Sequence, residues 1–189
     1  MRKRFLCILT ALTLAVAPAL AEGGLISALA TPTPAPSRVV FERGDLFLTL
    51  PAGMEILDGE ALELYEAAVQ FDYPETGSAV LVAMDATRDA ALILTETEST
   101  LDCLTAAQQA AEALIGNPEL AREAELGENR CAHFTCAVNG QIFHLYYFSD
   151  GARLLTAGFS GLSRDEVEET LAELRFQTPA APEIEEALP

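Results

Sequence analysis

Basic residues are scarce in this chain. Lys3 is its only lysine, and 11 Lys+Arg stand against 29 Asp+Glu in 189 residues, a net charge of −18. Such a balance repels phosphate backbones and anionic lipid, so neither nucleic acid nor polybasic membrane docking fits it. The acidic excess is spread through the chain without a block of like charges, as suits solubility. Also missing are H-E-x-x-H, a P-loop, a dinucleotide fingerprint and an EF-hand loop. Ser160, in Gly158-Phe159-Ser160-Gly161-Leu162, misses the G-x-S-x-G elbow by one residue. The acidic loop Asp85 to Asp89 has no ladder of calcium ligands. After residue 21 no stretch is long and apolar enough to span a bilayer. No cofactor is expected.

What is present begins with an export signal. Arg2, Lys3 and Arg4 precede an uncharged run from Phe5 to Ala21, which closes on Ala19-Leu20-Ala21. A basic start, an apolar middle and small residues at the end form a signal peptide, residues 1–21. Cleavage after Ala21 is the first choice, Ala28-Leu29-Ala30 offers a second site, and retention as an anchor stays open. Cleavage at Ala21 leaves eight arginines against 29 acidic residues, a net charge of −21. The expected location is outside the cytoplasm. Residues 22–37 form a spacer, because Thr31 to Ser37 alternate proline with small residues and favour extended polyproline II. Residues 177–189, with three prolines and Glu183, Glu185 and Glu186, read as an acidic disordered tail. One domain, 38–176, lies between; at about 140 residues it buries roughly two-thirds of its surface and needs no disulfide.

Three cysteines survive cleavage, Cys103, Cys131 and Cys136. An odd count in an oxidising compartment leaves one bridge plus a free thiol, or no bridge. Cys131 and Cys136, five apart on one predicted strand, would lie roughly 17 Å apart, whereas a bridge needs Cα atoms within about 7 Å. Any bridge therefore includes Cys103. Cys103–Cys136 and buried free thiols both remain open.

Short β-rich runs at 38–41 and 46–50, separated by Arg43-Gly44-Asp45, predict a hairpin. Asp58 caps a predicted helix to Val69. Runs at 79–84 and 91–95 predict a second hairpin. Ser99-Thr100-Leu101-Asp102 matches a cap pattern for a helix carrying Leu104, Ala107, Ala111, Leu114 and Ile115, and Gly116-Asn117-Pro118 stops it. Runs at 131–138, 141–148 and 153–159 predict an antiparallel meander, with Asn139-Gly140 the strongest of its turn signals. Ser163 to Glu166 is a capping box for a last helix that presents Val167, Leu171 and Leu174 and ends near Phe176. Phe134, Phe143, Leu145 and Tyr147 alternate onto one meander face, and Ile142, Tyr146, Leu155 and Phe159 onto the other. Both faces need cover, which predicts a single α+β domain: an antiparallel sheet with helices on both faces, an α-β-α sandwich.

This order resembles the PsbP-like superfamily. The residues that carry the resemblance are Leu46-Phe47-Leu48-Thr49-Leu50-Pro51-Ala52-Gly53-Met54, the meander Ile142 to Phe159, and the closing Leu174-Arg175-Phe176. It implies a small exported binding or accessory module rather than an enzyme, and brings no active-site motif.

One constellation carries chemistry. Alternation places Cys131, His133 and Thr135 on one side of a strand, and a two-residue turn pairs Thr135 with His144 and His133 with Tyr146. A thiol and two imidazoles suit Zn²⁺ or a Cys–His nucleophile pair; two ordinary histidines under a covering helix account for the same residues. The RGD tripeptide Arg43-Gly44-Asp45 resembles integrin-ligand loops, and equally serves as a plain turn. The reading drawn is an exported non-enzymatic module that binds a protein or small ligand at the cell surface. The alternative is a metal protein or enzyme using Cys131, His133 and His144. Ligand, partner and oligomeric state are not encoded in any motif.

Overall fold

The computed structural model describes residues 38–57, 59, 62–63, 78–114, 118–138 and 140–176. The expected signal peptide, spacer and acidic tail lie outside them, as does most of the helix expected from Asp58 to Val69. Among the described residues no helix is long and apolar enough to cross a membrane.

The elements defined among the described residues follow in the order β1 (Val40–Arg43), β2 (Leu46–Thr49), β3 (Glu55–Ile56), β4 (Ser78–Asp85), β5 (Ala90–Glu98), α1 (Cys103–Ala113), β6 (Arg122–Leu126), β7 (Asn129–Val138), β8 (Gln141–Ser149), β9 (Arg153–Ser160), α2 (Arg164–Ala172) and β10 (Arg175–Phe176). A seven-stranded sheet has the order β3-β4-β5-β9-β8-β7-β6, and a small sheet has the order β1-β2-β10. Every pairing is antiparallel. The two expected hairpins and the meander are present. Gly140 at φ +84° allows the tight turn that puts Val138 opposite Gln141, Thr135 opposite His144 and His133 opposite Tyr146.

Each face of the large sheet has its own core. On one, Phe134, Phe143, Leu145 and Tyr147 pack with Val82 and Ile93 beneath α1. That helix turns Ala106, Ala107 and Ala110 inward, and small side chains let its backbone come close to large aromatic neighbours. On the other face, Leu81, Leu92, Leu94, Tyr146, Phe148, Leu155 and Phe159 pack with Leu46 and Leu48 of β2 and Val167 and Leu171 of α2. The cover here is shared between a helix and a second sheet, where the sequence reading assigned helices to both sides. Ile142, expected in this core, is 57 % exposed, so the cover stops short of the β7–β8 turn.

Four details depart from expectation. The cap of α1 is Asp102, which accepts from Thr105 N at 2.8 Å. Ser99 is held elsewhere: its N–H donates to Ala152 O at 2.9 Å and its hydroxyl accepts from Leu101 N at 3.2 Å. β6 gave no apolar run, because Arg122, Glu123 and Glu125 occupy an edge strand, where charge blocks further pairing. β3 is too short to read. Finally, Leu174-Arg175-Phe176 does not end α2. Glu173 is its cap, Leu174 turns into the core, and Arg175 and Phe176 pair with Phe47 and Leu46. The capping box itself is as expected: Glu166 N donates to Ser163 Oγ at 3.3 Å and Ser163 N to Glu166 Oε2 at 3.0 Å.

Candidate functional site

The two histidines lie buried on the α2 side of the sheet, 6 % and 8 % exposed. His133 stacks on Tyr146 with ring centroids 5.2 Å apart and planes 22° from parallel. Its Nε2 is 3.4 Å from a terminal nitrogen of Arg164, on the first turn of α2. Arg164 Nε donates to Glu168 Oε1 at 2.7 Å, and the Tyr146 hydroxyl reaches the same oxygen at 3.4 Å. His144 Nδ1 is buried with no hydrogen-bond partner. Burial lowers both imidazole pKa values, and the Arg164 charge lowers them further.

Cys131 shares this face, buried in the α2-side core. Its thiol approaches Ala124 O at 3.6 Å, and burial pushes its pKa up to about 12, which disfavours the thiolate that a nucleophile or zinc ligand needs. Among the described residues no group of three His, Cys, Asp or Glu side chains is gathered closely enough to hold a metal ion. Cys103, Cys131 and Cys136 all carry free thiols. Cys136 is buried on the α1 side, as its position between Phe134 and Val138 implied.

Two other features noted in the sequence are tied up within the chain. Arg43 donates to Val80 O at 3.4 Å, and Asp45 pairs with Arg153, so both charged ends of the RGD turn engage their own protein. Asp85 is buried and accepts from Thr87 N (2.9 Å), Thr87 Oγ1 (2.6 Å), Arg88 N (3.2 Å) and Arg88 Nε (2.6 Å). The Thr87 hydroxyl first, then Arg88, hold its pKa down to about 2. A carboxylate so fully occupied is spoken for as a calcium ligand.

Sequence reasoning missed a cleft of about 660 Å³ lined by Phe47 of β2, Gly127 and Glu128 of the β6–β7 turn, Asn129 at the start of β7, and residues 172–176. Gly127 lets two of its lining segments meet. At φ +61° a Cβ there would lie 2.3 Å from Ala172 O, so only glycine lets the turn meet the end of α2. Asn129 Nδ2 donates to Leu174 O at 2.6 Å and fixes the wall. Arg175 lies 5.2 Å over the Phe47 ring. Glu128 and Glu173 add carboxylates. The signal for this cleft was split between a Gly-Glu-Asn turn and three residues that read as the end of a helix.

No protein-family model matches the chain, and no curated protein does. A solved structure with a similar arrangement is that of cyanobacterial PsbP from Synechocystis sp. PCC 6803, determined in solution. It is 14 % identical with a TM-score of 0.40, and the match covers 74 % of this chain and 88 % of that one. No residue of the cleft or of the histidine cluster is assigned a role by that likeness.

Proposed function

We propose that this chain is an exported, non-catalytic accessory module that seats an extended, basic segment of a partner protein in the cleft at residues 47, 127–129 and 172–176. The signal-like leader supports export, and the acidic balance favours a basic partner. The observation that carries the reading is the make-up of the cleft. Phe47 and Phe176 lie there beside the guanidiniums of Arg175 and Arg153, Glu128 and Glu173 bring carboxylates, the latter 3.6 Å from Arg38, and β10 is the edge strand of its sheet. An edge strand beside apolar and acidic side chains suits strand addition, in which the main chain supplies affinity and alternate side chains supply selection. The alternative use of Cys131, His133 and His144 draws no comparable support, since the thiol faces a backbone carbonyl.

The test uses the mature chain and a synthetic peptide of alternating lysine and valine, followed by NMR at physiological salt, where diffuse charge attraction is screened. Shifts confined to residues 127–129 and 173–176 are expected. The double variant Glu128→Gln/Glu173→Gln should weaken binding several-fold. Glu98→Gln/Glu112→Gln, an equal charge change at exposed positions elsewhere, should not. Equal weakening by both pairs, or shifts spread over the surface, would reject the cleft as the site.

A further inference from the structure

We propose that His133 and His144 form an acid-sensitive latch that holds the first turn of α2 against the large sheet. The latch rests on which atoms donate and which accept. With His133 neutral and its proton on Nδ1, Nε2 is an acceptor facing the Arg164 guanidinium at 3.4 Å. A proton there makes the ring a donor that faces a donor, and a cation that faces a cation. His144 has no better outlet, because its buried Nδ1 has no hydrogen-bond partner.

The surrounding charges do not offset the added positive charge. Arg164 and Glu168 face the pair from α2, Arg122 from β6, and Glu119 from the segment before β6. Tyr146 on β8 and Cys131 on β7 are neutral neighbours whose pKa values burial raises. Two arginines already balance two glutamates, and Glu168 is engaged with Arg164 and Tyr146. Each imidazolium is therefore an uncompensated charge in a buried place. The sign follows. Folding favours the neutral rings, so the unfolded chain takes up protons first as pH falls. The stability contributed is full above the usual imidazole range and is lost as pH drops through it. Asp85, which also reaches toward α2 through Arg88 and Glu166, titrates only near 2 and stays silent in that window.

The loss should centre on α2, which packs against β2 and the edge strand β6, whereas the inner strands hold one another along their whole length. Amide hydrogen exchange by NMR, corrected for its intrinsic pH dependence, reads this directly. Between pH 7.5 and 5, protection at Val167, Glu168, Thr170 and Leu171 should fall on the order of tenfold, while Leu92 to Leu94 of β5 hold theirs. His133→Gln should flatten the response. Should that variant fold poorly, Arg164→Gln serves in its place. Arg164 is half-exposed, and its loss should lower α2 protection already at pH 7.5 and weaken the further change on acidification. Unchanged α2 protection in the wild type would overturn the latch. So would an equal fall in β5, or an undiminished response in either variant.

Discussion

The two faces of the seven-stranded sheet are covered by different means. On the α1 side, α1 brings Ala106, Ala107 and Ala110 into a core with Phe134, Phe143 and Tyr147, and Leu57, Leu62 and Ala121 complete the packing. The α2 side is sealed by pieces from opposite ends of the domain: β1 and β2 from the start, α2 and β10 from the finish. Those pieces are fastened by side chains reaching across long stretches of sequence. Arg153 joins Asp45, Glu96 and Asp150; Arg88 joins Asp85, Glu166 and Ala52 O; Arg38 joins Glu169; Asn129 joins Leu174 O. A cover assembled from distant pieces has seams, and the cleft and the histidine cluster both lie along them.

The comparison breaks first under Leu171→Ala. Leu171 is fully buried where α2 meets the core, and its truncation should cost about 2–5 kcal/mol in urea unfolding. If the assembled face opens independently, exchange protection in α2 should fall by more than in α1. A uniform fall would show that the two faces open together. Next in size is Ala107→Leu on the α1 side, where added methylenes meet a wall of aromatic rings. About 1–3 kcal/mol is expected, with protection lost at α1 and kept at α2. The smallest effect sharpens the contrast. Asp102→Ala and Ser163→Ala remove the two helix caps, and each should cost about 1 kcal/mol. Only the second should also alter peptide binding in the cleft, since α2 forms its wall and α1 does not.

The sequence was most informative where contacts are local. Asn139-Gly140 set the register that brings Thr135 to His144, and Ser163 with Glu166 announced α2. Alternation sorted Phe134 from Tyr146 onto the right faces. What it did not reveal depends on distant partners. Leu174-Arg175-Phe176 looks helical until β2, more than a hundred residues earlier, offers Phe47 and Leu46 as pairing partners. Arg122-Glu123-Ala124-Glu125 carries too little apolar pattern to mark a strand without β7 beside it. The histidines were placed correctly on one face. Arg164, which gives them their electrostatic character, comes from a helix whose docking position no local pattern specifies. The thiol was grouped with them by alternation alone, and that rule fixes a side of the strand without fixing where a side chain's hydrogen points.

The small sheet has a mechanical consequence. β1 and β10 flank β2 and both run antiparallel to it, with Val40 opposite Thr49 and Phe176 opposite Leu46. The two ends of the described domain thus leave from opposite ends of the same central strand. A pull applied at Val40 and Phe176 acts along the strands and loads the cross-strand hydrogen bonds in shear, all at once. Unzipping them one by one would require force at right angles to that direction. Held at one end and tugged at the other, the domain resists along its strongest axis, and the grip of Arg153 on Asp45 and over the Phe176 ring lies directly in the path of the force.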